Sequence, residues 1–217
     1  GIPNATVTGI LEDGSHLWLS ANQGLVKFDP QAGTFQGYGP SEGLRTRSEV
    51  NGCFQSPDGE MFFAGHGGLI AFRPEQIIDN QDIPAVVITN LMLFNKAAPI
   101  GGDSPLQQAV CATDGIALSD QDYSFAFEFA ALSFVDPRKN RYKYKLEGFD
   151  QAWHEIDSRR RYAAYSNLPA GEYVFRVLGS NNHNVWNTED ASIRVKVARP
   201  VWETLRLEKE AAEAANR

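Results

Sequence analysis

The chain has 217 residues, 42% of them hydrophobic and 22% charged, a balance that suits one large or two small folded domains and argues against wholesale disorder. Its 20 basic and 27 acidic residues leave a net charge of −7, which argues against a nucleic-acid module built on a basic surface. No run approaches the roughly 18 apolar residues of a membrane span and residue 1 does not begin a signal peptide, so the chain as written is expected to be soluble. Nineteen glycines, 11 prolines and 11% aromatics favour many short strands joined by tight turns. The acidity is local: residues 1–84 carry 4 basic and 10 acidic side chains, whereas residues 85–199 carry 13 of each. That step coincides with the end of an internal repeat.

In the first copy, Asp13-Gly14 precedes Leu17-Trp18-Leu19-Ser20 and then Gly24-Leu25-Val26-Lys27-Phe28-Asp29-Pro30. In the second, Asp58-Gly59 precedes Met61-Phe62-Phe63-Ala64 and then Gly68-Leu69-Ile70-Ala71-Phe72-Arg73-Pro74. Trp18/Phe62, Gly24/Gly68, Leu25/Leu69, Phe28/Phe72 and Pro30/Pro74 are each 44 residues apart, a period that fits one four-stranded propeller blade. Asp-Gly supplies a positive-φ hairpin turn, the aromatic run a buried strand, and Gly-Leu opens the next strand. Closed propellers typically need about four to eight blades, so the open faces are covered either by further blades of a longer chain or by partner copies. The pattern resembles the two-component regulator propeller repeat, its second copy resembling the last blade before that family's next domain.

After Pro84 the periodicity changes. Val86, Ile88, Leu91 and Leu93 open a strand-like stretch, and strict alternation follows at Tyr123, Phe125, Phe127 and Phe129, at Tyr142, Tyr144 and Leu146, at Tyr173, Phe175 and Val177, and at Ile193, Val195 and Val197. Each run predicts a strand with one buried face. Turn residues separate them at Asp136-Pro137, Glu147-Gly148, Pro169-Ala170-Gly171 and Asn181-Asn182, and the whole reads as an immunoglobulin or fibronectin type III-like sandwich. Leu168-Pro169-Ala170-Gly171-Glu172-Tyr173 is similar to the fibronectin tyrosine corner, in which the phenol bonds back to nearby backbone.

The same segment carries Tyr142-x-Tyr144-x-Leu146-x-Gly148-Phe149-Asp150-x-x-Trp153, then Tyr165-Ser166-Asn167-Leu168-Pro169-x-Gly171-x-Tyr173, then Trp186. It resembles the three-tyrosine, Y_Y_Y, domain over approximately residues 85–204. That resemblance implies the region between an extracytoplasmic propeller sensor and the membrane span of a hybrid sensor histidine kinase, with Tyr142, Tyr144, Gly148, Trp153, Tyr165, Pro169, Gly171 and Tyr173 as structural signature positions. The expected architecture is therefore all-β: two propeller-type repeats at 1–84, an immunoglobulin-like sandwich at 85–199 and a short C-terminal linker helix at 200–217.

Pro200-Val201-Trp202-Glu203-Thr204 resembles the end of the family's sandwich, where a transmembrane helix normally starts. Here the chain runs directly into strong helix formers, Leu205 to Arg217. Leu205 and Ala212 are seven apart, as are Leu207 and Ala214, so Trp202, Leu205, Leu207 and Ala212 are candidates for a short two-chain seam. A solvated, frayed helix is the competing expectation. The terminal Glu-Ala-Ala-Asn-Arg resembles the lead-in to a kinase phosphoacceptor helix.

Little points to catalysis. His16, His66, His154 and His183 lack metal-site spacing, and no triad, P-loop or dinucleotide fingerprint occurs, so neither metal nor cofactor is expected. His66, between two glycines, is a candidate for the edge of a ligand site, and otherwise a solvated turn residue. Asp13, Asp58, Asp120, Asp122 and Asp150 fall mainly at turns, where they are expected to bond local backbone. Cys53 and Cys111 lie in different predicted domains and are expected to be unpaired, partly buried thiols. Arg159-Arg160-Arg161 is the one basic run, a candidate for an anionic glycan or lipid headgroups, or else a polar hairpin. Trp18, Trp153, Trp186 and Trp202 are expected to serve as core or corner anchors, with Trp186 the best placed to stack on a sugar. The functional expectation is the non-catalytic, extracytoplasmic part of a two-component sensor that works as a homodimer and responds to an oligosaccharide or other small molecule. Its parent would supply a membrane span and kinase. The alternative is a carbohydrate-binding accessory module of an extracellular enzyme.

Overall fold

The structure, a computed structural model, describes residues 6–21, 24–39, 50–65, 68–119 and 121–199. His66 and the tail positions Trp202, Leu205, Leu207 and Ala212, with the expected helix at 200–217, lie outside the described residues. Contacts divide the chain into two compact units, residues 1–79 and 80–217. The division falls five residues before the expected 84/85 step because Asn80 and Asp82 are hydrogen-bonded within the second unit.

The first unit is a pair of propeller-type blades. Strands β1 (Val7–Glu12), β2 (Leu17–Ala21), β3 (Gly24–Asp29) and β4 (Thr34–Tyr38) form an antiparallel meander in that order. Strands β5 (Val50–Gln55), β6 (Met61–Gly65) and β7 (Gly68–Phe72) repeat it as a three-stranded sheet among the described residues. β6 and β7 begin 44 residues after β2 and β3, as the sequence period requires. Gly14 and Gly59 adopt φ of 78° and 87° in the two Asp-Gly turns, a region that other residues enter only under strain. Both leading strands also carry a register irregularity, between Val7 and Gly9 and between Val50 and Gly52. A Cβ on Gly9 would lie 2.8 Å from Cys53 Sγ, so the missing side chain is what lets β1 approach β5.

The blades share one core of Trp18, Leu25, Tyr38, Met61 and Phe63, with Leu11, Ile70, Phe72 and Ile77 packed against it. Trp18 is fully buried, its ring 4.7 Å from Phe72 and 5.2 Å from Tyr38. Burying such a ring removes about 150–250 Å² from water, worth roughly 4–6 kcal/mol. Its indole N–H still needs an acceptor, and Asp13 Oδ2 takes it at 2.7 Å. The aspartate of the turn motif thereby serves the core as well.

The second unit is a two-sheet sandwich. One sheet has the order β14-β11-β8-β9, from β8 (Val86–Leu93), β9 (Lys96–Ala97), β11 (Ser124–Ala131) and β14 (Tyr162–Ser166). The other has the order β10-β16-β15-β12-β13, from β10 (Gly115–Leu118), β12 (Arg141–Glu147), β13 (His154–Asp157), β15 (Gly171–Gly179) and β16 (Ala191–Val197). β10 pairs parallel with β16, and the other pairs in this unit are antiparallel. The facing sides bury Phe127, Phe129, Tyr142, Leu146, Phe175, Val177, Ile193 and Val195 among others, the positions that alternate in the sequence. In β8 the alternation slips by one residue between Ile88 and Leu91. The pairing with β11 shifts register there, Glu128 facing Asn90 and Phe129 facing Ile88, so both apolar side chains reach the core. Tyr123 departs from expectation: it precedes β11, is 58% exposed and meets Phe94 edge-on.

Candidate functional site

The tyrosines of the signature that the resemblance implies, Tyr142, Tyr144, Tyr165 and Tyr173, gather on the sandwich core. Tyr142 is buried, and its hydroxyl accepts the Ala131 N–H at 3.1 Å, joining the two sheets. Tyr173 donates its phenol proton to the Pro169 carbonyl at 2.8 Å, the corner bond read from the sequence. Gly148 has φ of 91°, and a Cβ there would lie 3.1 Å from Tyr173 Cδ1. Glycine is thus required twice over, by backbone conformation and by the ring it faces. Gly171 lies against the same ring: a Cβ there would meet Tyr173 Oη at 3.5 Å, in ordinary contact. Tyr144 is half-buried on β12 and stacks on His154 at 5.1 Å.

Asp150 gathers three groups. Its Oδ2 accepts the Leu146 N–H at 2.8 Å and the Tyr165 O–H at 2.9 Å, and its Oδ1 lies 3.1 Å from His154 Nε2. The turn bond to backbone was legible in advance, whereas the reach across to Tyr165 was not. Burial raises the Tyr165 phenol well above the ordinary tyrosine range, reinforced by its hydrogen bond to Asp150 and that group's charge. Burial also raises Tyr144, with the same carboxylate adding to it.

The ligand candidates are dispersed. Arg159 and Arg161 line an open recess of about 520 Å³ with Pro137, Arg138, Asp157 and Ser158. Asp157 takes Arg159 at 2.6 and 3.0 Å, and the arginine's hydrogen bond in turn holds the Asp157 carboxyl below its usual range. Arg160 lies over the Tyr162 ring at 5.9 Å, and the Arg161 carbonyl accepts the Phe129 N–H at 3.1 Å. The hairpin role accounts for most of these contacts. Trp186 is half-buried, with Lys143 Nζ 4.6 Å from its ring centre. Two expectations need correcting. Trp153 is 41% exposed rather than in the core. Both cysteines are free, but Cys111 is exposed because its 3-10 turn, Val110–Ala112, buries only Val110, whereas Cys53 is half-buried. Among the described residues no group of three or more His, Cys, Asp or Glu is arranged to hold a metal.

The densest polar cluster was read only as a turn. Asn181 is fully buried between β15 and β16, and its Oδ1 accepts the N–H groups of His183 and Val185 at 2.8 and 3.0 Å. Its Nδ2 donates to the carbonyls of Asn80 and Asp82 at 2.8 and 2.9 Å. Buried amides must be satisfied in this way or cost about 1–3 kcal/mol each. In the first unit Asp79 is the comparable residue. Burial pushes its carboxyl upward, but donation from Tyr38, Gln36 and Lys27 outweighs that, and the group ends below its usual range. A run of asparagines after a clear strand was the available signal, although their partners lie about a hundred residues away.

Comparison with known proteins agrees with this geometry. Residues 133–198 match the Y_Y_Y domain family. The chain is 32% identical over 205 residues, 93% of its length, to histidine kinase P4 of Formosa agariphila, of which it spans 15%. The crystal structure of the extracellular domain of BT3049 from B. thetaiotaomicron, assigned as a hybrid two component system, matches with a TM-score of 0.70 and 25% identity, covering 91% of this chain and 27% of that one. The extracellular domain of BT4673 from the same bacterium, assigned as a one component system, shares the fold at a TM-score of 0.52 and 18% identity, over 92% of this chain and 26% of that one. No helix among the described residues is long and apolar enough to cross a membrane. Residues 133–198 thus match the Y_Y_Y domain family, and the chain, with its two propeller-type blades, is similar to the C-terminal part of the extracellular sensor region of hybrid two-component sensor histidine kinases.

Proposed function

We propose that this chain is the extracytoplasmic, signal-transmitting part of a membrane-anchored two-component sensor. In this account a propeller binds a small-molecule signal, an oligosaccharide being the leading class, and a dimerising sandwich relays the change toward a membrane span and kinase in the parent protein. The observation that carries it is the likeness, blades and sandwich together, to a single histidine kinase over 93% of the chain. Physical features support a transmitting rather than a catalytic role. The sandwich core is continuous between its sheets, and its buried polar groups are tied by Tyr142, Tyr165 and Tyr173, as suits a body that moves as one piece. The two blades are only part of a closed propeller, so the ligand face is assigned to the complete propeller of the parent.

The alternative, an accessory module that grips carbohydrate through Trp186 and the arginines, is less favoured. Lys143 already lies over the tryptophan ring, and Asp157 already holds Arg159. A glycan array probed with the purified chain discriminates between them. Silence is the expected result. Saturable binding that disappears in Trp186→Ala would overturn the transmitting role in favour of the module.

A further inference from the structure

Within the sandwich unit the chain enters at one pole and leaves at the other. Residues 80–85 arrive beside the loop between β15 and β16, where Asn181 holds the Asn80 and Asp82 carbonyls. β16 runs to the opposite end. There the Ala198 N–H donates to the Leu118 carbonyl at 2.9 Å, and Val197 and Ala198 line an open recess of about 330 Å³ with Tyr123, Phe125 and Pro169. This exit pole also carries the tip of the β8–β9 hairpin, Phe94-Asn95, and the turn at 148–153 between β12 and β13.

Among the described residues the sandwich unit exposes six large aromatic side chains. Four of them, Phe94, Tyr123, Phe149 and Trp153, stand at this pole, between 41% and 58% exposed. Phe94 meets Tyr123 edge-on at 4.8 Å, and Phe149 meets Tyr165 edge-on at 6.2 Å, so these rings are held in place while much of their surface faces water. Phe94 also occupies a costly position. It and Asn95 join the paired residues Leu93 and Lys96 with φ of 50° and 59°, the type I′ geometry that favours Asn, Asp or Gly. A bulky side chain there is strained, and strain of this kind gathers at functional sites. Lys96 and Arg199 are exposed at the same end, whereas the Asp122 carboxylate is turned onto the Ser119 N–H and hydroxyl at 2.9 and 2.7 Å.

We infer that the four rings form an interfacial collar that rests on the headgroup region of a lipid bilayer. Tryptophan, tyrosine and phenylalanine are the side chains that settle at the boundary of water and hydrocarbon, and Lys96 and Arg199 suit anionic headgroups. Position favours lipid over other occupants, because the collar stands at the end from which the backbone leaves the sandwich. A sugar site would gather its rings around one recess, yet of the four only Tyr123 lines the recess at this pole. The inference deepens the relay function proposed above by naming the surface on which the sandwich stands, and it rests on that reading for the presence of a membrane. It also gives the exposed Trp153 a role that core packing does not.

The test tethers the whole chain, through a C-terminal hexahistidine tag, to vesicles of phosphatidylethanolamine and phosphatidylglycerol doped with a nickel-chelating lipid. Trp202→Phe serves as the background, and Trp153 emission is read as the difference from Trp153→Phe. Lipid brominated high on the acyl chain is expected to quench Trp153 roughly twofold, as an interfacial ring requires. Phe94→Asn combined with Tyr123→Ser is expected to remove most of that quenching. Phe94→Asn alone gives the turn a residue it prefers and should raise Tm, which separates lost lipid contact from lost fold. Equal Trp153 emission in brominated and plain vesicles would overturn the collar, and so would quenching that survives the double substitution. Protection of Trp153 that grows with protein density and ignores bromine would overturn it too, in favour of a contact between copies. The readout needs no signal, dimer or kinase, so the collar can fail while the relay function stands.

Discussion

Removing the Asp150 side chain is the most informative single perturbation of the sandwich. The carboxylate is only 8% exposed and holds the Leu146 N–H, the Tyr165 hydroxyl and the His154 ring. In Asp150→Ala, an orphaned Leu146 amide costs about 1–3 kcal/mol and the lost charge-assisted bond to Tyr165 about 1.5–3 kcal/mol. His154 is 52% exposed, so its share is about 0–1 kcal/mol after solvent screening. The expected total is roughly 3–7 kcal/mol, a fall in Tm of about 8–20 °C for a domain of this size. Asp150→Asn retains an acceptor in the same place and is expected to cost about 1–2 kcal/mol, or roughly 3–6 °C. Differential scanning calorimetry, with near-ultraviolet circular dichroism to follow the sandwich aromatics, measures both. If alanine proves no worse than asparagine, or shifts Tm by under about 3 °C, the carboxylate does not organise this corner and the reasoning fails.

Further outcomes follow from the titrating groups and the turns. Tyr165 has its pKa raised in the folded state, so its contribution is fully present below the unfolded value of about 10 and is lost as pH climbs toward the folded value. Absorbance at 295 nm should show that phenol ionising only with unfolding, and titration of every tyrosine near pH 10 in a folded chain would contradict this. Asp79 has its pKa lowered, so its contribution is present above the unfolded value of about 3.9 and is lost as pH falls through the depressed folded value. Asp79→Asn should therefore flatten the acid limb of blade-unit stability measured by urea titration between about pH 4 and 2, and an unchanged limb would count against the triple donation. Gly148→Ala combines positive φ with a crowded ring and is expected to cost about 1–3 kcal/mol. Gly14→Ala meets no atom within 4 Å and should cost less; equal losses in thermal melts would mean that the Tyr173 contact is immaterial.

How much of this was legible depended on the range of the interactions. β12, β15 and β16 could be read directly, because Tyr142 and Leu146, Tyr173 to Val177, and Ile193 to Val195 alternate and bury one face. The Tyr173 corner was legible because its acceptor, Pro169, is four residues away. The blades were legible because a repeat supplies its own control: the Asp-Gly turns recur and both glycines take positive φ. β13, His154–Asp157, carries no apolar alternation and lies at a sheet edge, so nothing in its pattern announced a strand. The slip in β8 was present only as a three-residue step from Ile88 to Leu91. Trp153 was misplaced because an aromatic residue in a signature motif suggests burial, while its turn carries it to the surface. The least legible feature was the asparagine cluster. A buried amide looks like a loop residue until its partner is known, and Asn181 finds its partners at Asn80 and Asp82.

The proposed relay depends most on dimerisation, because in that proposal two sandwiches meet to carry a change in the propellers toward paired kinases. Sedimentation velocity of the chain tests it directly across a concentration series. The account predicts a reversible monomer–dimer equilibrium with a dissociation constant up to about 100 µM, weak in solution because tethering in a membrane supplies effective concentrations near the millimolar range. A chain that sediments as a monomer throughout that series would contradict it.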